Sequence, residues 1–531
     1  MRRWNGWGEE AVDMALGPEA LAFLSTRLGQ GRPPSDASFE AACAQLPPGR
    51  LPPHPLVDAS PRTRLLHAFG QSLPDWLRLR YGRVGAVPDG VAFPECSEQV
   101  RALLGYAAAT GADVIPYGGG TSVAGHLGIL EPSRPVLTIA MGRMRALVSL
   151  DREAQLATFC AGVAGPDLEA QLRAHGYTLG HFPQSFDYST LGGWVVTRSS
   201  GQQSLRYGRI EQLFAGGRVE TPQGTLEIPT FPASSAGIDL REMVLGSEGR
   251  LGILTHATVR VTRLPQHEAF HAVFFPGWDA ALAAVRELAQ ARLPLSMLRL
   301  SNALETTTML TLAGHARQVA LLEAWLRLRG CGEGKCMLMI GASGAKAQAL
   351  PALRAALRQA AAHGGVHAGR GLGERWRRNR FRSVYLRNGA WAQGYAIDTV
   401  ETALDWPRVT GAMEAIERAA SSALQAWGER VHAYTHLSHL YPQGASVYST
   451  FVFRLAGEYG ADLARWRGLK DRVSEAIVAA GGTISHQHGV GLDHAPWLAA
   501  EKGELGLGAM AALFRHFDPD GRMNPGKLVS P

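Results

Sequence analysis

PYGGGTS (116–122), HFPQSFDYSTLGGWVVTRSSG (181–201) and LGSEGRLGILTHATVRV (245–261) are the segments that decide how this chain folds. The first places three glycines after the apolar run DVIP, so a strand opens into backbone free of side chains. Converging N–H groups on such a loop suit a bulky anion. The loop is neither GxGxxG nor a P-loop with its lysine, so neither the Rossmann nor the Walker template applies. Taken alone it reads equally well as a tight structural turn.

Working outward, VAFP is a short strand, SEQVRALLGYAAATG an amphipathic helix with a Ser97 cap and a glycine stop, and DVIP a strand. PVLTIAM, MRALVSLD and AQLATFCAGV follow as strands, PDLEAQLRAHG as a helix, and LGGWVV as a second glycine-containing loop. From 266 the pattern restarts. EAFHAVFFPGW and SMLRLSN read as strands around the helix DAALAAVRELAQARL, and an Ala/Leu/Arg-rich helical region then runs to about 365. GYAIDTVETA, VHAYTHLSHLY and ASVYSTFVFRL add strands, and the helix WRGLKDRVSEAIVAAGG opens through its glycines into TISHQHGVG. Residues 1–80, broken by RPPSDAS and QLPPGRLPPHP, read as an N-terminal helical extension.

The bulk properties fit this division. A chain of 531 residues, 46% hydrophobic, can bury two cores. The net charge of +7 comes from scattered arginines, which favours anionic ligands over nucleic acid. Cys43, Cys96, Cys160, Cys331 and Cys336 are odd in number and dispersed, which fits a reducing compartment and neither a disulfide framework nor a zinc site. MRRWNGWGEE has no apolar run behind its arginines and no stretch is long enough for a membrane helix, so a cytoplasmic protein is expected, with room for peripheral membrane contact.

In TISHQHGVG (483–491), His486 and His488 stand two apart, so on an extended segment they share one face, where imidazoles can move protons at neutral pH. An HxH pair can equally hold a metal or fill space. Tyr448, in SHLYPQGASVYSTFVF, reads by itself as a half-buried strand aromatic. In RFRSVYLRN and SMLRLSN, Arg387 and Arg299 carry guanidinium forks able to bind phosphate or carboxylate.

Taken together, the three opening segments, LRYGRIEQL (205–213), WNGWG (4–8) and the terminal MNPGKL resemble the alkyldihydroxyacetonephosphate synthase branch of the vanillyl-alcohol-oxidase superfamily. The resemblance implies an α+β chain: a PCMH-type, two-subdomain FAD-binding domain over 81–265, an α+β cap with an antiparallel sheet over 266–470, and a segment 471–531 returning to the FAD domain with the HxHG motif. It implies FAD, held non-covalently, and no metal. Pro116, Tyr117, Gly118, Gly119, Gly120, Thr121 and Ser122 would hold the pyrophosphate. His181, Gln184, Ser185, Tyr188, Ser189, Thr190, Gly192 and Gly193, with Thr197, Arg198, Ser199 and Ser200, would run beside the flavin. Glu248, Gly249, Leu251, Gly252, Ile253 and Leu254 would contact the adenine half. Two positions depart from the family pattern: Gln184 stands where Asp is usual, and Gln487 interrupts a run of three histidines.

By the same resemblance, Tyr448 is the acid/base, His486, His488 and Arg299 serve catalysis, and Arg387 clamps a substrate phosphate. The implied activity exchanges the acyl chain of acyl-dihydroxyacetonephosphate for a fatty alcohol through attachment to flavin N5, an ether-lipid synthesis without net redox change. Two alternatives remain: an FAD-dependent 2-hydroxy acid (D-lactate or glycolate) dehydrogenase or oxidase, and a non-catalytic flavin- or lipid-binding homologue. The dehydrogenases commonly carry HxGDGNxH, whereas HLSHLYPQGASVY (436–448) has no GDGN, although His436 and His439 leave room for a metal. The expected partners are a small lipid or hydroxy-acid substrate and a second copy in a homodimer.

Overall fold

The computed structural model describes residues 1–529 except 131, 313 and 315. Around the first glycine loop, Gly90–Ala92, Val136–Ala140 and Asp113–Tyr117 form parallel strands, in that spatial order, with Val57–Asp58 antiparallel at the far edge. The helix Ser97–Thr110 connects two of them because Val100, Leu103, Leu104 and Ala107 recur on one face and are buried. It stops at Gly111, which takes the left-handed φ of 68°. Its start differs from the sequence expectation: Cys96 is the N-cap, and the Ser97 hydroxyl donates instead to Thr255 Oγ1 at 3.0 Å. That bond ties this unit to the next sheet.

The next sheet is antiparallel, in the order Leu147–Asp151, Leu156–Cys160, Ile253–Arg260, Phe214–Thr221, Gly224–Ile228. LGGWVV, expected as a loop, is a short helix, Leu191–Val196, whose N-cap Thr190 accepts from the Gly193 amide. The hydroxyl cap and the buried Leu191, Trp194 and Val195 outweigh the low helix propensity of the two glycines.

The third sheet has seven antiparallel strands, in the order Val366–His367, His267–Phe275, Cys336–Gly344, Met297–Ser301, Val431–Leu440, Gly444–Arg454, Tyr395–Asp405. Cys336–Gly344 corrects the sequence reading, which ran helix through it to about 365. A short apolar run bounded by glycine looks alike as a buried strand or a buried helix turn, and here both neighbours are strands. Helices Trp278–Gln290, Lys346–Ala362 and Trp406–Ala423 cover one face of this sheet. They bury Val285 and Leu288, Leu353 and Ala356, and Val409, Met413 and Ile416. The opposite face, with Arg299, Met339, Ile397, Thr399, His436, Tyr448 and Thr450 at alternate strand positions, lines a cavity.

One apolar cluster runs from Phe159 and Phe214 of the five-stranded sheet to Leu338 and Phe451 of the seven-stranded one. Each fully buried side chain of this size contributes about 1.5–3 kcal/mol. The N-terminal segment is more than an appendage: Trp7 is buried, its amide and carbonyl both bond the Asn388 side chain, and Arg2 donates to the Gly119 carbonyl at 2.6 Å. Among the described residues no helix is long and apolar enough to cross a membrane.

Candidate active site

The glycine loops and the cap sheet enclose a cavity of about 680 Å³. From the first loop Pro116, Gly118, Gly119, Gly120, Thr121 and Ser122 reach it. Gln184, Ser185, Ser189, Thr190, Gly192, Gly193, Thr197, Ser199 and Ser200 form the adjoining wall, and Glu248, Gly249, Gly252, Ile253 and Leu254 continue it. The backbone is pressed close here: a Cβ on Gly118 would overlap the Thr190 hydroxyl, and one on Gly119 the Tyr188 carbonyl. Facing this wall stand Arg299, Arg387, Tyr448, Gln487 and His488.

Several expected residues sit behind the wall. Tyr117 points its hydroxyl to the Leu66 carbonyl, Tyr188 packs edge-on against Trp7, and Leu251 belongs to the apolar core. Arg198 turns its guanidinium outward to Glu242. His181 packs on Trp194 and meets Ser199 Oγ at 3.2 Å; burial, aided by Arg209, pushes it down to about 3, so it is neutral. His486 is likewise behind the wall, while His488 is on it.

Tyr448 is held between two imidazoles. His436 stacks on its face at 4.8 Å and His488 meets it edge-on at 5.6 Å. Burial pushes the phenol up to about 12, so at neutral pH it carries its proton and needs a neighbour to take it. His436 Nδ1 lies 2.9 Å from Glu305, which also pairs with Arg299 at 2.9 Å. Burial alone would raise the Glu305 carboxyl, but His436 and the Arg299 cation bring it down to about 2. Arg387 is half-buried over the Trp76 ring at 4.4 Å and donates to the Gln71 carbonyl at 2.7 Å. Among the described residues no carboxylate pairs with it, and burial lowers its value, which leaves a cation facing the cavity.

The C-terminal loop is anchored to the first glycine loop. Glu248 accepts from the amides of Val490 at 2.6 Å and Gly491 at 2.9 Å, and lies 3.0 Å from His126 Nε2. His126 Nδ1 in turn meets Ser122 Oγ at 2.5 Å. Burial opposes ionisation of Glu248, yet His126 and the two amides hold it below the usual carboxylate range. This carboxylate therefore braces the HxHG segment. His436 and His439, three apart in one strand, are separated by a bulge: the first faces Glu305, the second the Gly201 carbonyl.

The walls fit a dinucleotide. Ser200 Oγ, Gln202 Oε1, Gln487 Oε1 and Asn524 Oδ1 belong to residues lining the cavity, are buried, and have no hydrogen-bond partner among the described residues. Leaving a buried polar group unsatisfied costs about 1–3 kcal/mol, so these atoms call for a polar ligand edge. Residues 88–228 match the model of an FAD binding domain, and residues 264–528 that of the FAD linked oxidases, C-terminal domain. A Dictyostelium discoideum alkyldihydroxyacetonephosphate synthase is 31% identical over 88% of this chain and 77% of its own. This chain belongs to that synthase family. A Trypanosoma brucei brucei synthase is 29% identical over 99% of this chain and 92% of its own. A solved alkyldihydroxyacetonephosphate synthase superposes with a TM-score of 0.84 at 25% identity, covering 99% of this chain and 98% of the other. The chain is an α+β, FAD-dependent enzyme of the PCMH-type flavoprotein superfamily.

Within this synthase fold, sequence reasoning passed over three residues. Glu401 lies in the strand Tyr395–Asp405, where a carboxylate at an alternating position reads as solvent-facing, yet it is fully buried. Arg209, inside LRYGRIEQL, reaches His486 Nε2 at 2.5 Å and Tyr441 at 3.2 Å. His126 carried no signal beyond standing four residues after Ser122.

Proposed function

We propose that this protein exchanges the acyl chain of acyl-dihydroxyacetonephosphate for a fatty alcohol, releasing the fatty acid and giving the ether-linked product. The observation that carries this reading is a single cavity whose lining joins cationic and apolar side chains. It holds the Arg387 guanidinium, with which no carboxylate among the described residues pairs, together with Tyr448 and His488. It also holds Met309, Leu310, Leu312, Met337, Met339 and Trp376. A phosphate with a long chain attached matches that combination.

Pro116–Ser122 and Gln184–Ser200 would hold the cofactor against the wall, where Ser200, Gln487 and Asn524 have polar atoms to spare. FAD, when bound, supplies an electrophilic ring system that takes up and returns electron density, so the exchange needs no external oxidant. Arg387 clamps the phosphate and fixes the dihydroxyacetone carbon. Tyr448 Oη passes its own proton to His488, and the phenolate then takes the proton from that carbon and later returns it. The apolar side chains of the lining receive the departing acyl chain and then the alcohol, and exclude water that would hydrolyse the ester.

Peripheral contact with a lipid surface belongs to the same reading. The helix Ala316–Leu328 exposes Leu321, Trp325 and Leu328 on one face, and the helix before it contributes Leu310 and Leu312 to the cavity. A homodimer is the expected assembly.

The test is to supply flavin-loaded protein with acyl-dihydroxyacetonephosphate and hexadecanol, without an electron acceptor, and to follow fatty acid and alkyl product. Equimolar appearance of both supports the reading. No exchange, together with acceptor-dependent oxidation of D-lactate or glycolate, sinks it.

A further inference from the structure

His439, His486 and Glu401 meet behind the cavity wall, against His488, which lines it. Glu401 Oε1 lies 2.9 Å from His486 Nδ1 and 3.8 Å from His439 Nδ1, and Oε2 lies 3.6 Å from His488 Nε2. Glu401, His439 and His486 each offer a ligand atom within 4.8 Å of the others, which invites a metal. The hydrogen bonding argues otherwise. Arg209 Nη1 sits 2.5 Å from His486 Nε2, and a guanidinium only donates. Nε2 is therefore the acceptor, the ring proton is on Nδ1, and Nδ1 donates to Glu401. A metal on Nδ1 would displace that proton and leave either an imidazolate or an N–H pointing into the arginine. His439 Nε2 meets the Gly201 carbonyl at 3.1 Å and so must donate, leaving Nδ1 to accept from Ser438 Oγ at 2.9 Å.

Two of the three imidazoles are thus locked in one neutral tautomer. His486, beside Arg209, is held well below its ordinary value by burial and by that charge. His488 differs. It lines the cavity, has its ring against Tyr448, and faces Glu401 Oε2, the one oxygen of that carboxylate with no hydrogen bond. The charged and titratable groups around it are Glu401, Lys470, His486, His126 and Tyr448.

We propose that Glu401 is the positioning residue of this site: with Arg209 it fixes His486 as a neutral strut, and it provides the counter-charge for a proton arriving on His488. The inference rests on the reading of Tyr448 and His488 given above. Keeping its Nε2 proton toward Glu401, His488 takes the proton from Tyr448 Oη on Nδ1 and becomes an imidazolium next to a buried carboxylate. The same proton returns to the phenol at the end of the cycle, so no co-reactant is required.

The test uses the flavin-loaded protein. In Glu401→Gln, kcat should fall by about a hundredfold, the scale of one acid–base group, with KM within about threefold. The acidic limb of kcat/KM should move to lower pH by about one unit, because an opposing charge is lost. Glu401→Asp, which keeps the charge but shortens the reach, should recover part of kcat. Histidine-selective ¹⁵N NMR of the wild-type protein provides a readout that needs no substrate: His486 should appear as a fixed Nδ1–H tautomer and His439 as Nε2–H, while His488 alone of the three titrates. Wild-type kcat in Glu401→Gln, an Nε2–H tautomer at His486, or a stoichiometric bound metal that the variant loses would each overturn the proposal. If Glu401→Gln does not fold, the wild-type tautomers decide the matter. If acyl-dihydroxyacetonephosphate is not turned over, the proposed function fails, while the NMR result still stands or falls alone.

Discussion

Gly489→Ala tests how the HxHG segment is held. Gly489 has a φ of 78°, and an added Cβ would meet His126 Nε2 at 2.5 Å and Glu248 Oε1 at 2.9 Å. Left-handed backbone costs a residue with a side chain about 1–2 kcal/mol, and overpacking against a braced pair adds about 1–3 kcal/mol. A middle value of about 3 kcal/mol corresponds to roughly a hundredfold in the population of the correctly seated loop, at about 1.4 kcal/mol per tenfold. Because that loop carries His488, kcat should fall by about this factor. Flavin affinity, which the proposed reading assigns mainly to Pro116–Ser122 and Gln184–Ser200, should change by less than about tenfold. Steady-state kinetics and flavin titration of the purified variant separate the two effects. Gly105→Ala is the matched control: this glycine lies inside the helix Ser97–Thr110 with nothing within 4 Å of the added atom, so the change should stabilise by up to about 1 kcal/mol. Turnover of Gly489→Ala within threefold of wild type, with an unshifted melting temperature, would refute the reasoning.

Tyr448→Phe keeps the aromatic packing on His436 and removes only the hydroxyl, so turnover should vanish while the flavin spectrum remains; an active variant removes the phenol from the mechanism. Arg387→Met should raise KM for the phosphorylated substrate by about ten- to hundredfold, the worth of a charge-assisted hydrogen bond, and an unchanged KM excludes the clamp. Glu305 contributes stability through its low folded-state value: brought from 4.5 to about 2, it is worth about 3 kcal/mol. The sign follows from the depressed value, so this contribution is complete above about pH 4.5 and disappears as pH falls toward 2. Glu305→Gln should flatten the acid limb of the stability curve, and an identical limb in both proteins would show that the pairing with His436 and Arg299 adds nothing.

The flavin-binding half was legible because its signals are local. PYGGGTS alone reads equally as a turn, but with 181–201 and 245–261 at their intervals it carries the resemblance, and its glycines are demanded by contacts with Thr190 and Tyr188. The cap was harder. Cys336–Gly344 is buried among strands, and an apolar run of that length has no period to betray it. Glu401 escaped notice for the opposite reason: its pattern was clear but pointed outward, since a strand carboxylate is ordinarily solvated, and its burial is explained by partners distant in sequence, Ser438, Ser446 and His486. The motif TISHQHGVG was visible, but not that its two histidines would separate into one strut and one wall residue. That difference depends on Arg209, which comes from another part of the chain.

The two-sided construction of the seven-stranded sheet has an evolutionary consequence. Residues facing the cavity and residues carrying the helices alternate along the same strands, so Ile397, Thr450 or Met339 can be exchanged while Val400, Phe451 and Leu338 continue to hold the scaffold. Chain-length preference can therefore drift quickly between descendants of this enzyme without endangering its architecture, and directed variation confined to the cavity-facing positions is the economical way to retune it.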